Sequence, residues 1–239
     1  MIHGSEQAVD TSVPSLARAY DHLLGGRANF AADRALARQW RERYPRAGEL
    51  LDLSRTYVTA CCARLSSDGI RQFIDVGSGL PTAPSLHTAV RPGTSQVVYV
   101  DRDPAVVAHA RTLVPARSVS VMTGDLLEPE ALLWALRSLV DLAQPACLVL
   151  ALVIQALPDL GTARAVVDVL VRALAPGSHV ILTAGGGAAG RLPDTVAGAD
   201  LSAAEVAAFF AGLDVLPPGV EEGLLVRGTG RKPDNAGRR

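Results

Sequence analysis

The chain has 239 residues, of which 49% are hydrophobic and 20% charged, and this balance suits one globular unit with an appended segment. Its 23 basic and 24 acidic residues give a net charge of −1, which excludes a strong overall attraction to nucleic acid or to an anionic membrane. No apolar run has the length of a membrane span, and the first residues lack a signal-peptide pattern, so we expect a cytoplasmic protein. The three cysteines show no CxxC spacing, so neither a disulfide framework nor a metal site is predicted.

Apolar residues recur with a helical period from Val13 to about Ser67. The pattern predicts three helices, broken at Gly25-Gly26 and at Tyr44-Pro45. Both ends of the chain are polar and without periodicity, which predicts flexible segments at 1–12 and 229–239.

At Gly69 the helical period gives way to short apolar runs typical of buried parallel strands. The predicted strands lie at 71–76, 96–100, 119–122, 146–152 and 179–183, and helical segments lie between them at about 83–91, 104–113, 129–141 and 162–174. This alternation predicts a doubly wound α/β sheet. A helix over 202–211 and a closing antiparallel hairpin through Pro217-Pro218-Gly219 complete it. The predicted organisation is a helical cap at 13–68 followed by the sheet domain at 69–228.

The stretch with most chemical information is the turn after the first strand. Asp75 ends that strand, and Gly77 and Gly79 follow it just before a helix, where glycines permit a tight bend and close approach of a ligand. Asp101 ends the second strand, where a carboxylate suits the two hydroxyls of a ribose. Asp125 follows the third strand, where it can accept from an adenine amino group.

Two ligands compete for this arrangement, a dinucleotide and S-adenosylmethionine. Pro81 and Thr82 stand where the dinucleotide fingerprint continues to its third glycine. Asp75 beside the turn attracts an ammonium group and opposes a pyrophosphate. Both observations favour S-adenosylmethionine.

Several stretches resemble one known family, the actinobacterial S-adenosyl methyltransferases once catalogued as a domain of unknown function. The segment 14–34 is similar to its N-terminal signature and 70–82 to its first motif, and the likeness continues through 98–104, 124–126, 174–178 and 209–213. The resemblance implies the Rossmann-like class I methyltransferase fold, which is a seven-stranded, mostly parallel sheet with an antiparallel last strand, here with an N-terminal helical lid. It also implies S-adenosyl-L-methionine as the cofactor.

The resemblance further implies roles for individual residues. The methionine part of the cofactor is expected at Gly77, Ser78 and Gly79, with its ammonium near Asp75. Asp101 is expected to hold the ribose, Arg102 to flank the adenine, and Asp125 and Leu126 to recognise the adenine edge. The sulfonium side is expected at Ala151, Leu152 and Val153.

The N-terminal signature has more polar residues than a linker between helices needs. We expect it to fold over the cofactor as a lid, with contacts from Tyr20, Gly25, Gly26 and Asn29. The alternative is that the glycines end a helix, Tyr20 belongs to the core and Asp33 caps a helix or pairs with Arg34 or Arg38.

Methyl transfer mainly requires alignment of the acceptor and exclusion of water, so a general base is optional. The candidate catalytic residues are His22, His87 and Gln155. His87, expected about two turns into its helix, equally suits a hydrogen bond between elements, and Gln155 stands where a histidine is expected from the resemblance. The glycine run at 185–190 is either an acceptor loop or a linker.

These observations predict a methyltransferase acting on a small molecule of specialised metabolism. Its partners are the small-molecule acceptor and a second copy of the chain, bound through the N-terminal helices, with no nucleic acid and no membrane. The basic residues between Arg27 and Arg46 fit a solvated surface, because no aromatic residues for base stacking are interleaved with them. The alternative is a protein that binds S-adenosylmethionine without methyl transfer, in a regulatory role or in another reaction of the cofactor.

Overall fold

The computed structural model describes residues 10–115, 117–186 and 201–234. The helices are α1 (Leu16–Leu23), α2 (Ala31–Arg43), α3 (Ala47–Ser67), α4 (Leu86–Ala89), α5 (Pro104–Leu113), α6 (Pro129–Leu136), α7 (Leu160–Ala173) and α8 (Ala203–Ala207). The strands are β1 (Gln72–Val76), β2 (Gln96–Asp101), β3 (Val119–Thr123), β4 (Ala146–Ala151), β5 (His179–Gly185), β6 (Asp214–Val215) and β7 (Leu225–Arg231). None of the helices in these ranges is long and apolar enough to cross a bilayer. The predictions for 1–9, for 235–239 and for the glycine run beyond Gly186 lie outside the described residues.

The strands form one sheet in the order β3-β2-β1-β4-β5-β7-β6. The first five strands are parallel, and β7 lies antiparallel between β5 and β6. This confirms the predicted fold, including the closing antiparallel pair. The strand order reverses direction between β1 and β4, and ligands of open α/β sheets bind above such a reversal, at the carboxyl ends of the strands.

Successive side chains of the central strands alternate between two apolar layers. Ile74, Val98 and Leu148 face the layer that contains α6 and α7. Phe73 and Val97 face the opposite layer, where α3 and α4 pack. Both faces are covered, which is why these strands are apolar throughout rather than alternating with polar residues.

Two predicted boundaries near the functional end of the sheet are wrong. The helix expected over 83–91 begins only at Leu86, because Pro81 and Pro84 keep the residues before them extended. His87 is therefore the second residue of a short helix rather than two turns into a long one. Strand β4 ends at Ala151, since Leu152 turns into the left-handed region with φ of 54°.

The closing elements also differ from the expected bounds. Strand β7 continues to Arg231, past the predicted boundary at 228, and its last residues pair with the start of β5. Gly228 and Gly230 are required there, because a Cβ at either would lie within 3 Å of the Phe210 ring. The helix predicted over 202–211 keeps its capping box but ends at Ala207, and α6 ends at Leu136.

The three N-terminal helices form as expected, and a buried carboxylate joins the first two. Asp33, which is 0% exposed, accepts hydrogen bonds from the backbone N–H groups of Ser15 and Phe30, each at 2.8 Å. It also forms an ion pair with Arg18 at 2.8 Å. Asp33 thus fixes the start of α1 against the start of α2, and its cationic partner is neither Arg34 nor Arg38.

Replacement of Asp33 with alanine is expected to destabilise the protein by about 3 kcal/mol, because it leaves the buried Arg18 charge without its carboxylate and two N–H groups without their acceptor. Urea unfolding measures the difference. The control is Asp52→Ala, since Asp52 lies exposed on α3 and its loss is expected to change the free energy of unfolding little. Equal stability of the two variants would contradict the prediction.

Candidate active site

Two connected cavities lie at the carboxyl ends of β1, β2 and β4. The first, here called the α3 cavity, is lined by α3 residues including Arg55 together with Asp21 and Asp75. The second, here called the β2 cavity, contains Asp101 and Asp125. Both cavities are also lined by Leu16, Ala17 and Tyr20 of α1, by Gly77 and Gly79, and by Val153 and Ala156. The cavities are thus two parts of one cleft under α1.

The turn between the cavities depends on its glycines. Gly77 and Gly79 have φ of 71° and 59°, a region that favours glycine. A Cβ on Gly77 would also lie 2.2 Å from Cγ2 of Val153. The N–H groups of Gly77 and Ser78 donate to the Val100 carbonyl at 2.8 and 3.0 Å, which fixes the turn against β2.

The β2 cavity brings together the residues expected at the ribose and the adenine. Asp101 accepts the Gly79 N–H through Oδ2 and the Asp103 N–H through Oδ1, both at 2.9 Å. A carboxylate offers about four acceptor positions, so Asp101 keeps capacity for a diol. Burial raises the pKa of Asp101, and the two N–H groups oppose that shift. Arg102, Asp125 and Leu126 line the same cavity.

The α3 cavity contains a pair of charges that dominates its electrostatics. No hydrogen bond reaches the Asp75 carboxyl from any described residue. Burial raises the pKa of Asp75, Arg55 opposes the rise and Asp101 adds to it, which together bring the pKa to about 7. Arg55 donates to the Thr82 carbonyl, and burial lowers its pKa.

Sequence reasoning missed Arg55 as a residue of the site. The available signal was its spacing, since Leu51, Arg55 and Val58 share one face of α3 and all line the cavity. A charged residue within an apolar stripe indicates a buried partner or a ligand.

Ionisation of Asp75 is expected to cost stability in the free protein. The pKa of about 7 in the folded state exceeds the ordinary value of 3.8, so the folded protein keeps a proton that the unfolded chain releases between these values. The stability from this group is full below pH 3.8 and is lost as the pH rises to about 7. The melting temperature of Asp75→Asn relative to that of the wild type should therefore increase from pH 4 to pH 8, as thermal melts will show. A difference independent of pH would contradict the prediction.

The N-terminal signature is organised around Asp21, which is 4% exposed. Asp21 accepts from the Ala28 N–H at 2.8 Å and from Nδ2 of Asn29 at 3.0 Å. The Thr82 hydroxyl donates to it at 3.0 Å and so connects the signature with the loop after the glycine turn. A Cβ on Gly26 would lie 2.0 Å from Oδ1 of Asp21.

The four residues expected as lid contacts therefore have different places. Tyr20 lines both cavities, and its ring packs on Trp40 with the centroids 5.2 Å apart. Gly25, Gly26 and Asn29 form the loop around Asp21 and are not among the lining residues of either cavity. Gly25 follows the end of α1 with φ of 78°, as in the helix-end alternative.

The three candidate catalytic residues, His22, His87 and Gln155, are not brought to the lining of either cavity. Nδ1 of His87 lies 3.0 Å from the Tyr99 hydroxyl, which also accepts the His87 backbone N–H at 3.1 Å. Gln155 is 5% exposed, and its Oε1 has no hydrogen-bond donor among the described residues.

The residues expected at the sulfonium, Ala151, Leu152 and Val153, all line the α3 cavity. The Leu152 N–H donates to the Thr183 carbonyl at 3.0 Å and to its hydroxyl at 3.2 Å. That hydroxyl lies 2.8 Å from the hydroxyl of Ser54 on α3. These contacts hold the left-handed backbone of Leu152 at the end of β4, and such conformations persist where the surrounding structure fixes them.

Comparison with known proteins decides between the ligands that this cleft could take. A family model described as S-adenosyl methyltransferase matches residues 2–237. The chain belongs to this family. The methyltransferase is therefore an S-adenosylmethionine-dependent enzyme, and the cofactor inferred from the glycine turn and the three spaced acids is confirmed.

Solved structures agree with this assignment. A candidate methyltransferase from Thermobifida fusca YX is 32% identical, with a TM-score of 0.82 over 94% of this chain and 97% of that one. A DUF574 family protein from Streptomyces avermitilis MA-4680 is 27% identical, with a TM-score of 0.83 over 95% and 100% of the two chains. The N-methyltransferase NodS from Bradyrhizobium japonicum WM9, solved with S-adenosyl-L-homocysteine, shares the fold at 19% identity and a TM-score of 0.51 over 76% and 88%. No curated protein matches the methyltransferase.

The cleft has the chemistry that this cofactor requires. Asp75 is a carboxyl group without a donor from the described residues, which suits an ammonium group. Asp101 accepts hydrogen bonds from two backbone N–H groups and still has free acceptor positions, which suits a ribose diol. The glycine turn packs directly against Val153, with no room for a Cβ on Gly77, and so keeps its backbone at the wall of both cavities.

Proposed function

We propose that the methyltransferase transfers a methyl group to a small, largely apolar acceptor of specialised metabolism, bound beside Leu152. The observation that carries the proposal is the apolar cluster at this end of the sheet. Leu152 lines the α3 cavity and also packs against a cluster formed by Leu50, Leu53, Leu224 and Leu225. Apolar walls with few polar groups are typical of small-molecule sites.

The proposal assigns the cofactor to both cavities. In the α3 cavity, Asp75 holds the ammonium beside Gly77, Ser78 and Gly79, and the sulfonium lies between Tyr20 and the segment Ala151, Leu152 and Val153. In the β2 cavity, Asp101 holds the ribose, and the adenine is surrounded by Arg102, Asp125 and Leu126. When bound, the cofactor supplies a methyl group activated by a sulfonium, with a thioether as the leaving group.

The contribution of the protein in this proposal is alignment and exclusion of water. Tyr20 and Leu16 cover the cleft and exclude water from it. The backbone of Leu152, fixed by its hydrogen bonds to Thr183, positions the acceptor opposite the methyl group. A general base is not assigned. His87 is bound to Tyr99, and no histidine is among the lining residues of the two cavities, so acceptors that react without deprotonation by the protein are favoured.

The proposal includes a cytoplasmic setting and a homodimer. The cytoplasm is supported by the three cysteines, all of which are free thiols. The dimer is supported by two exposed apolar residues of the N-terminal segment, Val13 at 58% and Phe30 at 40% exposure. Light scattering on the purified protein tests the dimer, and a monomer at all concentrations would contradict it.

Product analysis tests the reaction. The protein is incubated with S-adenosylmethionine carrying a labelled methyl group and with panels of small phenols, amines and thiols, and with DNA and RNA as controls. Release of S-adenosylhomocysteine with a labelled small molecule supports the proposal. Label on nucleic acid, or micromolar cofactor binding by calorimetry without turnover on any small acceptor, would contradict it.

A further inference from the structure

The α3 cavity contains two partly buried charges, Arg55 and Asp75, whose hydrogen-bonding capacity is largely unused. The guanidinium of Arg55 has five N–H donors, and one of its nitrogens donates to the Thr82 carbonyl, the single hydrogen bond it makes within the described ranges. The Asp75 carboxyl accepts none from the described residues. The two groups influence each other's pKa, but no ion pair within 4 Å joins them, and both line the cavity. A partly buried pair of this kind suits a ligand that carries both an anionic acceptor and a cationic donor.

We propose that Arg55 binds the α-carboxylate of the cofactor's methionine part, opposite the ammonium at Asp75. The inference rests on the cofactor placement proposed above and adds the residue that recognises the anionic half of its amino acid group. Arg55 suits this role because a planar guanidinium with several free donors matches the two oxygens of a carboxylate.

The glycine turn does not offer an alternative binding site for this carboxylate. The N–H groups of Gly77 and Ser78 donate to the Val100 carbonyl, and the Gly79 N–H donates to Asp101. All three are therefore engaged by the protein itself. Among the described lining residues of the α3 cavity, Arg55 is the one cationic side chain.

Contacts on the outer side of Arg55 hold it in position. Its hydrogen bond goes to the carbonyl of Thr82, and the hydroxyl of the same Thr82 donates to the buried Asp21. Asp21 is also one of the carboxylates that raise the pKa of Arg55. Arg55 is thus anchored to the loop after the glycine turn, and its remaining donors are left for the cavity.

Calorimetry with three ligands tests the inference on the full chain. S-adenosylhomocysteine carries the complete amino acid group, its decarboxylated analogue lacks the carboxylate, and methylthioadenosine lacks the whole group. We expect the wild type to bind S-adenosylhomocysteine about 30-fold more tightly than the decarboxylated analogue, as a charged hydrogen-bonded pair implies. In Arg55→Ala this difference should disappear, while the affinity for methylthioadenosine stays unchanged and reports an intact fold.

Two further variants sharpen the test. Arg55→Lys keeps the charge but loses the planar fork, so it should retain only part of the preference. Arg64→Ala is the matched control, since Arg64 lies on the same helix with its side chain 82% exposed, and it should bind as the wild type does.

The outcomes separate failure of the inference from failure of the cofactor placement. Unchanged preference for the carboxylate in Arg55→Ala would overturn the inference, and so would a loss of methylthioadenosine binding in that variant, because it would show a structural role. Failure of the wild type to bind any of the three ligands would instead overturn the proposed cofactor placement.

Discussion

Replacement of Gly77 with alanine is expected to abolish cofactor binding and to destabilise the protein by about 3 kcal/mol, the sum of a strained backbone and a steric overlap. Gly77 has φ of 71°, and its added Cβ would lie 2.2 Å from Cγ2 of Val153. The turn must then move away from Val153, and both cavities change shape because both residues line them. Calorimetry with S-adenosylhomocysteine and urea unfolding measure the two effects.

The chain offers a control that separates the two causes. Gly93 has φ of 74°, but a Cβ there has no atom within 4 Å. Gly93→Ala should therefore show only the backbone cost of about 1 kcal/mol and bind the cofactor normally. The double variant Gly77→Ala with Val153→Ala should recover part of the stability, because it removes the contact with Cγ2 at 2.2 Å and leaves the one with Cβ at 2.8 Å. A Gly77→Ala protein that binds as tightly as Gly93→Ala would contradict the structure of the turn.

Replacement of Asp101 with alanine is expected to weaken binding of S-adenosylmethionine more than 100-fold, a loss of about 3 kcal/mol for a partly buried carboxylate with charged hydrogen bonds. Two contributions are lost together. Asp101 accepts the Gly79 and Asp103 N–H groups, so the variant frees the turn, and it also removes the proposed ribose acceptor.

Asp101→Asn removes the charge and leaves one acceptor oxygen, so one of the Gly79 and Asp103 N–H groups loses its acceptor. It should bind at an affinity between those of the wild type and Asp101→Ala. Asp168→Ala on α7 serves as the control, since the Asp168 side chain is 58% exposed and is not among the lining residues of either cavity. Wild-type affinity in Asp101→Ala would remove the β2 cavity from the cofactor site.

The sheet could be predicted from the sequence because the two apolar layers leave buried strands such as β2 and β4 with continuous apolar runs. The helix after the glycine turn was predicted too long, because the prolines at 81 and 84 act on the residues before them and this effect outweighs apolar spacing. The end of β4 was missed for another reason. The left-handed turn at Leu152 is held by Thr183 on the neighbouring strand, and no local pattern contains that contact.

The cleft residues also divide into those that the local sequence indicates and those that depend on contacts between distant elements. Asp75, Asp101 and Asp125 could be predicted because each lies at or just after the carboxyl end of a strand, and these ends of parallel strands meet at one edge of the sheet. The apolar stripe of α3 marks Arg55 as a charge facing the protein, but the cavity that it lines depends on how α3 packs against β4 and β5. For Asn29 the sequence indicated a polar function but not its partner, which is Asp21 rather than a ligand.

The position of α1 along both cavities couples ligand binding to local unfolding of this helix. Leu16, Ala17 and Tyr20 line the cleft, so in the proposed placement a bound cofactor contacts α1 and opposes its local opening. The contacts of Asp33 and Asp21 set the free energy of that opening, and bound ligand adds to it in proportion to the logarithm of its concentration. The backbone amides of α1 therefore become a reporter of occupancy, with deuterium uptake that slows as the cofactor pool rises.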